Sequence, residues 1–288
     1  MSEKKATSEN KIKIVTTFFP MYDFTKNIVG DEGNVELLIP AGTEPHDFEP
    51  SAKNMADIAK ASVFVYNSKN LETWVPNAIN SLGVKTLNVI EASEKIKLME
   101  ATEEADEYEG NTHEHNLDPH VWLAPALAKK EVETIRDGLI SEFPTKKEVF
   151  TKNAAAYLKK LTALDEDYKK ELANATQRNL VTQHAAFGYL AKEYGLHQVA
   201  IAGLSPDQEP SPSRLAELKD YVKKNHIQLI YFEETASDKI AKTLSDETGV
   251  QLAVLNTLEG LTKEEQKQGA DYISVMQDNL KELKKTIK

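Results

Sequence analysis

The fold prediction rests on the stretch TKKEVFTKNAAAYLKKLTALDEDYKKELANA, residues 145–175. It contains neither glycine nor proline, and its apolar residues recur every three or four positions. These apolar residues are Phe150, Ala154, Tyr157, Leu158, Leu161, Leu164, Tyr168 and Leu172. The spacing predicts one amphipathic helix, and about thirty residues at ~1.5 Å each give a rod roughly 45 Å long.

Two interpretations of this helix are open. It could pair with another helix in a coiled coil, or it could run along a protein that has two lobes. Strand and helix patterns alternate on both sides of it, which favours the second interpretation. The sequence then divides into a flexible leader at 1–10, an N-terminal α/β lobe at 11–144, a linking helix at 145–175 and a C-terminal α/β lobe at 176–288.

Short runs of β-branched and apolar residues predict the strands of both lobes. Before the long helix they cover residues 11–16, 35–39, 63–66 and 86–90. After it they cover residues 180–182, 198–201, 228–232 and 251–255. Helical spacing is found at residues 21–29, 185–193, 211–225, 236–248 and 270–284. This alternation predicts, in each lobe, a mostly parallel sheet flanked by helices.

Composition and charge limit the function. The 288 residues are 40% hydrophobic and carry a net charge of −11, which argues against binding to nucleic acids or anionic membranes. No segment approaches the roughly 20 apolar residues that a membrane span requires. Cysteine is absent, so a metal ion would have to be held by nitrogen and oxygen ligands.

Two polar segments depart from the alternation. Residues 1–10, MSEKKATSEN, have no apolar run, so no signal peptide is predicted there. Residues 100–116 begin with six acids in ten residues, with no base among them, and then carry His113 and His115. This composition predicts a solvated loop. Its two histidines could form an accessory metal-attracting pair, or they could contribute to solvation alone.

Three of the seven histidines have similar settings. His46 lies in GTEPHDFEP after the predicted strand 35–39, and His184 lies in VTQHAAFGYL directly after the predicted strand 180–182. His120 lies in LDPHVWLAP, between two prolines and before a helix. Ligands of parallel sheets bind at the carboxyl ends of the strands. A lone histidine in such a loop is usually structural, but three in similar settings indicate a site.

Glu259, in LNTLEGL, follows the predicted strand 251–255 and completes the set. Two candidates precede the long helix and two follow it, which predicts an ion between the lobes. Three imidazoles and one carboxylate suit Zn²⁺ better than Ca²⁺ or Mg²⁺. Four protein ligands leave no open position for a catalytic water, which argues for holding an ion rather than for hydrolysis.

Two further motifs keep alternatives open. HEHNLDPH, residues 113–120, resembles the HxHxDH zinc signature of metallo-β-lactamase-type hydrolases, but two of its three spacings are one residue too long. A zinc hydrolase is therefore the weaker alternative. Glu233 and Glu234 follow the predicted strand 228–232, at the same edge of the predicted cleft between the two lobes as the candidate ligands. One of them could orient a ligating imidazole, or both could be acids favoured at a helix N-terminus.

Several stretches together resemble the metal-binding lipoproteins of zinc and manganese ABC importers, the ZnuA-like solute-binding proteins of cluster A-I. They are KIKIVTTFFPMYDFTKNI, GTEPHDFEPS, DPHVWLAP, VTQHAAFGYLAKEYGL, GLSPDQEPSP and YFEETAS. The resemblance runs from Lys11 onward. It implies two α/β lobes joined by one long rigid helix, with the ion between them. It also implies transfer of the ion to a membrane permease that a cytoplasmic ATPase drives.

The resemblance carries a ligand set with it. By position it implies three histidine ligands at His46, His120 and His184 and an acidic fourth ligand at Glu259. Manganese members are similar but have a carboxylate where this sequence has His184, so the resemblance implies one tight Zn²⁺ site, with manganese delivery as the alternative. Zinc members have an acidic, His-bearing loop, which residues 100–116 match with fewer histidines. No enzymatic activity is expected.

The same resemblance predicts location and partners. We expect a monomer at the extracellular face of the cell membrane, with the cognate ABC permease as its partner and no nucleic-acid partner. The lipid-bearing cysteine is absent, so membrane contact is expected only through an anchor that precedes this sequence. Some members continue into a second zinc-binding domain, which raises the hypothesis of a truncated product. Members are also often labelled adhesins, which would predict binding to a host protein independently of metal.

Overall fold

The computed structural model of the protein describes residues 12–84, 86–101, 117–207 and 210–286. The predicted leader 1–10 and most of the predicted loop, including His113 and His115, lie outside the described residues. Among the helices that are described, none has the length and apolar character needed to cross a bilayer.

The first half of the molecule is built on a four-stranded parallel sheet in the order β2-β1-β3-β4. Its strands are β1 (Ile12–Thr16), β2 (Gly33–Leu37), β3 (Val63–Tyr66) and β4 (Asn88–Glu91). Its helices are α1 (Phe19–Val29), α2 (Ala52–Ala59), α3 (Val75–Leu82) and α4 (Pro125–Glu142), with 3₁₀ turns at Gly30–Glu32 and Val121–Leu123. The central strand β3, VFVY, is buried at every position, as expected for a strand covered on both faces.

The long helix α5, Lys147–Leu172, follows a 3₁₀ turn at Pro144–Lys146. Seven of the eight apolar residues in the predicted stripe are buried, and Leu158 packs partly buried against the same core. The helix contacts α1 and α4 from the first half. Its apolar face is therefore buried within the same molecule, which favours the two-lobe interpretation over a coiled coil. Its 26 residues correspond to roughly 39 Å.

The second half repeats the arrangement with a parallel sheet in the order β6-β5-β7-β8. Its strands are β5 (Asn179–Thr182), β6 (His197–Ala200), β7 (Leu229–Phe232) and β8 (Gln251–Val254). Its helices are α6 (Gly188–Tyr194), α7 (Pro212–Lys224), α8 (Lys239–Thr248), α9 (Lys263–Gln268) and α10 (Tyr272–Thr286). Because α10 packs on α5 as well, one hydrophobic core runs through both halves.

Two parallel sheets flanked by helices and connected by a long helix confirm the predicted fold class. The division of the chain at residues 144 and 176 into lobes stays a prediction. Element boundaries differ by a few residues, and the predicted helix 185–193 begins only at Gly188 because the residues after His184 form a turn. Helix α9 was not predicted, although Thr262 and Glu265 form a capping box at its start.

Trp122 joins the two halves directly behind the predicted site. Its indole Nε1 donates a hydrogen bond to the carbonyl of Thr257 at 2.8 Å, and its own carbonyl accepts one from the hydroxyl of Tyr272. The side chain is fully buried and meets the ring of Phe18 edge-on, with 4.8 Å between ring centroids. Trp122 and Thr257 lie two positions from His120 and Glu259 respectively, so this bond links the backbone next to both predicted ligands.

The two tryptophans offer a matched test of this link. We expect Trp122→Phe to lower the free energy of unfolding by about 2 kcal/mol or more, because the buried carbonyl of Thr257 loses its donor and a void opens. Trp74→Phe should cost less, because the indole N–H of Trp74 is buried without a hydrogen-bond partner among the described residues. Urea unfolding of both variants in excess chelator measures the difference, and equal losses would contradict the assigned role of Trp122.

Candidate metal centre

The four predicted ligands lie in loops from both halves of the molecule. His46 lies in the loop between β2 and α2, and His120 immediately precedes the 3₁₀ turn Val121–Leu123. His184 follows the end of β5 by two residues, and Glu259 follows the end of β8 by five. Since the strands of each sheet are parallel, their carboxyl ends share one edge, and the loops leaving those ends converge.

The structure brings these four side chains together. The Nε2 atoms of His46 and His120 are 3.2 Å apart. Oε1 of Glu259 lies 3.3 Å from Nε2 of His46, 3.1 Å from Nε2 of His120 and 3.3 Å from Nε2 of His184. All four donor atoms lie within 4.8 Å of one another, and in the part of the chain that the structure describes no other group of metal-ligating residues is clustered in this way.

The cluster is almost completely buried and has unmet hydrogen-bonding capacity. His120 and His184 are fully buried, Glu259 is 1% exposed and the side chain of His46 is 11% exposed. Nε2 of His184 faces Glu259 but has no hydrogen-bond partner with adequate geometry among the described residues. Three ring nitrogens that converge on one carboxylate oxygen in a buried space are satisfied together by a cation, and this donor set is of the kind that holds Zn²⁺ in proteins.

Two carboxylates outside the cluster orient two of the imidazoles. Oδ1 of Asp118 lies 2.7 Å from Nδ1 of His120, and Oε1 of Glu233 lies 2.5 Å from Nδ1 of His184. Because an ionised carboxylate only accepts hydrogen bonds, each Nδ1 is the donor, and each Nε2 is left to face the cluster. Such partners fix the ring orientation and raise the basicity of the ligating nitrogen.

A threonine connects the acids of the second half. The hydroxyl of Thr257 lies 3.1 Å from Oε2 of Glu259 and 3.3 Å from Oε2 of Glu233. The carboxylate of Glu259 therefore presents Oε1 to the three histidines while its other oxygen is held by Thr257. Glu234, the other acid considered with Glu233, is exposed and lines a separate surface cavity with Val254 and Asn256.

Sequence reasoning missed two acids that border the cluster. Asp118 stands two positions before His120, a spacing that lets its Oδ1 accept both the ring Nδ1–H and the backbone N–H of His120, the latter at 2.9 Å. Glu44 stands two positions before His46 and accepts the backbone N–H of His46 at 3.2 Å. In both cases an acid-x-His spacing in the quoted motifs was the available signal.

Two effects set the pKa values of the cluster residues, namely burial and the attraction between opposite charges. Burial disfavours the imidazolium ion of His46 and lowers the pKa of its ring. Burial also acts against the charged forms of His120 and His184, but the neighbouring carboxylates overcome it and raise both pKa values. Despite burial, the histidines hold the pKa of Glu259 well below its usual range. A divalent cation that binds these Nε2 atoms must displace protons, which couples binding to pH.

The pKa values of two neighbouring acids, Glu44 and Glu233, are raised, whereas that of Glu259 is lowered. Burial, together with the repulsion of Glu259, raises the pKa of Glu44 to about 9. Burial also raises the pKa of Glu233, although the ring of His184 beside it acts in the opposite direction. Glu259 is therefore the acid in this cluster whose negative charge is most strongly stabilised by its surroundings.

Comparison with known proteins finds relatives that match nearly the whole chain. One protein-family model, described as ZnuA, zinc-uptake complex component A, periplasmic, matches residues 14–286. The zinc-binding lipoprotein AdcA of Streptococcus pneumoniae serotype 4 is 56% identical over 282 residues, which cover 97% of this chain and 56% of AdcA. The high-affinity zinc uptake system protein ZnuA of Bacillus subtilis is 52% identical over 281 residues, which cover 96% of this chain and 88% of that protein. The chain thus spans just over half the length of AdcA.

Solved structures share the fold over nearly the whole chain. The Zn(II)-bound ZnuA-like domain of Streptococcus pneumoniae AdcA superposes with a TM-score of 0.84 at 55% identity, covering 96% of this chain and 99% of that domain. The laminin-binding protein Lmb of Streptococcus agalactiae, reported as an adhesin with metal-transporting activity, gives a TM-score of 0.85 at 35% identity and covers 96% and 100%. These matches confirm the resemblance seen in the motifs, and the chain belongs to the ZnuA family of zinc-uptake components.

Proposed function

We propose that this protein captures one Zn²⁺ ion between His46, His120, His184 and Glu259 and delivers it to the membrane permease of an ABC importer. The observation that carries the proposal is the convergence of three imidazole nitrogens and one carboxylate oxygen within 4.8 Å in a buried space. Membership of the ZnuA family and the likeness to a Zn(II)-bound domain support the identity of the ion.

The charge of the surroundings suits a divalent cation. Neutral histidines contribute no net charge, so the carboxylates of Glu259, Asp118 and Glu233 supply up to three negative charges around the two positive charges of the metal. Asp118 and Glu233 act through the imidazoles, and partners of this kind typically raise metal affinity by 10- to 100-fold.

A binding role fits this geometry better than catalysis does. A catalytic zinc keeps one position open for water, whereas four protein donors would fill all the positions of a tetrahedral shell. The alternative, a zinc hydrolase, requires a metal-bound water at this cluster. X-ray absorption spectroscopy of the zinc-loaded protein separates the two, because a water ligand in the shell would favour the hydrolase.

The location and partners follow from the family. We propose that the protein works as a monomer outside the cytoplasm, tethered by a lipid anchor, with the permease as the partner that receives the ion. AdcA of Streptococcus pneumoniae, its relative, is itself named as a lipoprotein. Size-exclusion chromatography with light scattering tests the monomer, and a permease-dependent zinc-uptake assay tests the partner.

Adhesion is a second candidate function, favoured by the likeness to a laminin-binding protein. It predicts that the protein binds laminin whether or not a metal is present. Surface plasmon resonance with immobilised laminin, in the presence of zinc and of a chelator, distinguishes adhesion from metal delivery. Binding in both conditions would establish adhesion as an additional activity of the protein.

Removing any one histidine ligand should weaken zinc binding by at least about a hundredfold, more than is typical for the loss of a partner outside the ligand set. We expect a stoichiometry of one for the wild type and severe losses for His46→Ala, His120→Ala and His184→Ala. His197→Ala is the control, because this exposed histidine on β6 lies outside the cluster. Titration against a chromophoric chelator measures the affinities, and wild-type values for all three ligand variants would refute the site.

Metal selectivity tests the role of His184. We expect the wild type to prefer Zn²⁺ over Mn²⁺ by at least about a hundredfold, or roughly 2.7 kcal/mol, because imidazole suits zinc and carboxylate suits manganese. His184→Glu should narrow the gap, mainly by weakening zinc. Because Glu233 lies beside His184, the double variant His184→Glu/Glu233→Gln removes a repulsion between carboxylates and gives the cleaner comparison. Competition calorimetry measures both ions, and equal affinities in the wild type would contradict the zinc assignment.

A further inference from the structure

Tyr189 belongs to the second half of the molecule by sequence but is buried in the first half. It lies on α6 and is 4% exposed. Its ring packs in a small hydrophobic cluster with Ile96, Val121 and Ala124, all of which precede the long helix. Among the described members of that cluster, Tyr189 is the one that comes from the second half, so it is an anchor between the halves.

The hydroxyl of Tyr189 holds two backbone segments together. It donates a hydrogen bond to the carbonyl of Asp118 at 2.7 Å and accepts one from the backbone N–H of Met99 at 2.8 Å. The backbone N–H of Asp118 also bonds to the carbonyl of Met99 at 2.9 Å, and Glu100 pairs with Leu117 in an antiparallel bridge. We call these paired residues, 99–100 and 117–118, the neck.

The neck carries the side chain that orients His120. Oδ1 of Asp118 accepts hydrogen bonds from both the backbone and the ring of His120. Its other oxygen, Oδ2, is so close to Gly188 that a Cβ atom there would approach it to 2.9 Å. Asp118 is therefore fixed through its backbone by Tyr189, through Oδ1 by His120 and through Oδ2 by contact with Gly188. A carboxylate on so short a side chain follows its backbone, so a shift of the neck moves the ring of His120.

We propose that Tyr189 is a positioning residue for the metal site, whose hydroxyl fixes the neck and Asp118 so that Nε2 of His120 is held at the ion and release is slowed. The inference deepens the proposed zinc-binding function and rests on it. Without the hydroxyl, the N–H of Met99 loses its acceptor and the carbonyl of Asp118 its donor, and buried groups left unpaired drive local rearrangement. Tyr189 acts one contact further out than Asp118, so we expect zinc release to be about three to ten times faster, at or below the low end of the effect of direct partners of ligands.

The test compares two tyrosines on the same helix. Tyr189→Phe removes the hydroxyl at the neck, whereas Tyr194→Phe removes a buried hydroxyl that donates to Asp165 on α5 at 3.1 Å. Stopped-flow transfer of zinc to excess chelator gives the release rates, and the absorption spectrum of the Co²⁺-loaded protein reports the geometry of the ligand shell. We expect faster release and an altered Co²⁺ spectrum for Tyr189→Phe, and neither for Tyr194→Phe, even where the two variants lose similar thermal stability without metal.

Gly188→Ala perturbs Asp118 from the opposite side and keeps the hydroxyl of Tyr189. The added methyl group must displace Oδ2 of Asp118, so it should produce the same two signatures. The inference is overturned if Tyr189→Phe binds zinc with wild-type release and an unchanged Co²⁺ spectrum, or if Tyr194→Phe accelerates release equally. Failure of the wild type to bind zinc would overturn the proposed function, and the inference with it, so the two failures are distinguishable.

Discussion

The buried carboxylate of Glu259 is the constraint on which the rest of the site depends. Removing an ionised carboxylate from water costs several kcal/mol, on the order of the stability of a whole domain, unless it is compensated locally. Here the compensation is three imidazole nitrogens within 3.3 Å of Oε1 and the hydroxyl of Thr257 on Oε2. The imidazoles of His120 and His184 then need acceptors for Nδ1, which Asp118 and Glu233 supply. One buried charge therefore specifies a network of partners that extends into both halves.

The scaffold makes this network possible because it places loops, rather than strands or helices, around the charge. Two parallel sheets of the same strand order each bring the carboxyl ends of their strands to one edge, and the four cluster side chains come from loops. Helix α5 packs its stripe into a core shared by both halves, so this packing helps to set the relative position of the loops. The absence of glycine and proline from residues 145–175 thus matters for the site. An unbroken helix helps to hold His46 and His120, which precede it, at a constant distance from His184 and Glu259, which follow it.

The fold class and the four cluster residues could be predicted from the sequence, because short local patterns of residues indicate them. The strands were visible as short apolar runs, α5 as an amphipathic stripe, and the four cluster residues as polar residues in loops. Glu233 could not be separated from Glu234 by pattern, because only the tertiary structure shows which of two adjacent acids faces His184. The link between Tyr189 and Asp118 was likewise invisible, since 71 positions separate the two residues. The positions of Asp118 and Glu44 were readable in principle from their spacing to histidine, but that spacing gains meaning only once the histidines are known to converge.

Two of the hydrogen bonds that join the halves also lie next to the ligands. Trp122 bonds to the carbonyl of Thr257, and Tyr189 bonds to the carbonyl of Asp118, so each of these two bonds ends within two positions of a cluster residue. Breaking one leaves a buried carbonyl unpaired, at a cost of about 1–3 kcal/mol, and separating the halves as rigid bodies would break both at once. His46 lacks such support. It is the most exposed of the four ligands, and among the described residues its ring Nδ1 has no carboxylate partner comparable to Asp118 or Glu233. Of the four ligands, His46 is therefore the one that buried contacts constrain least.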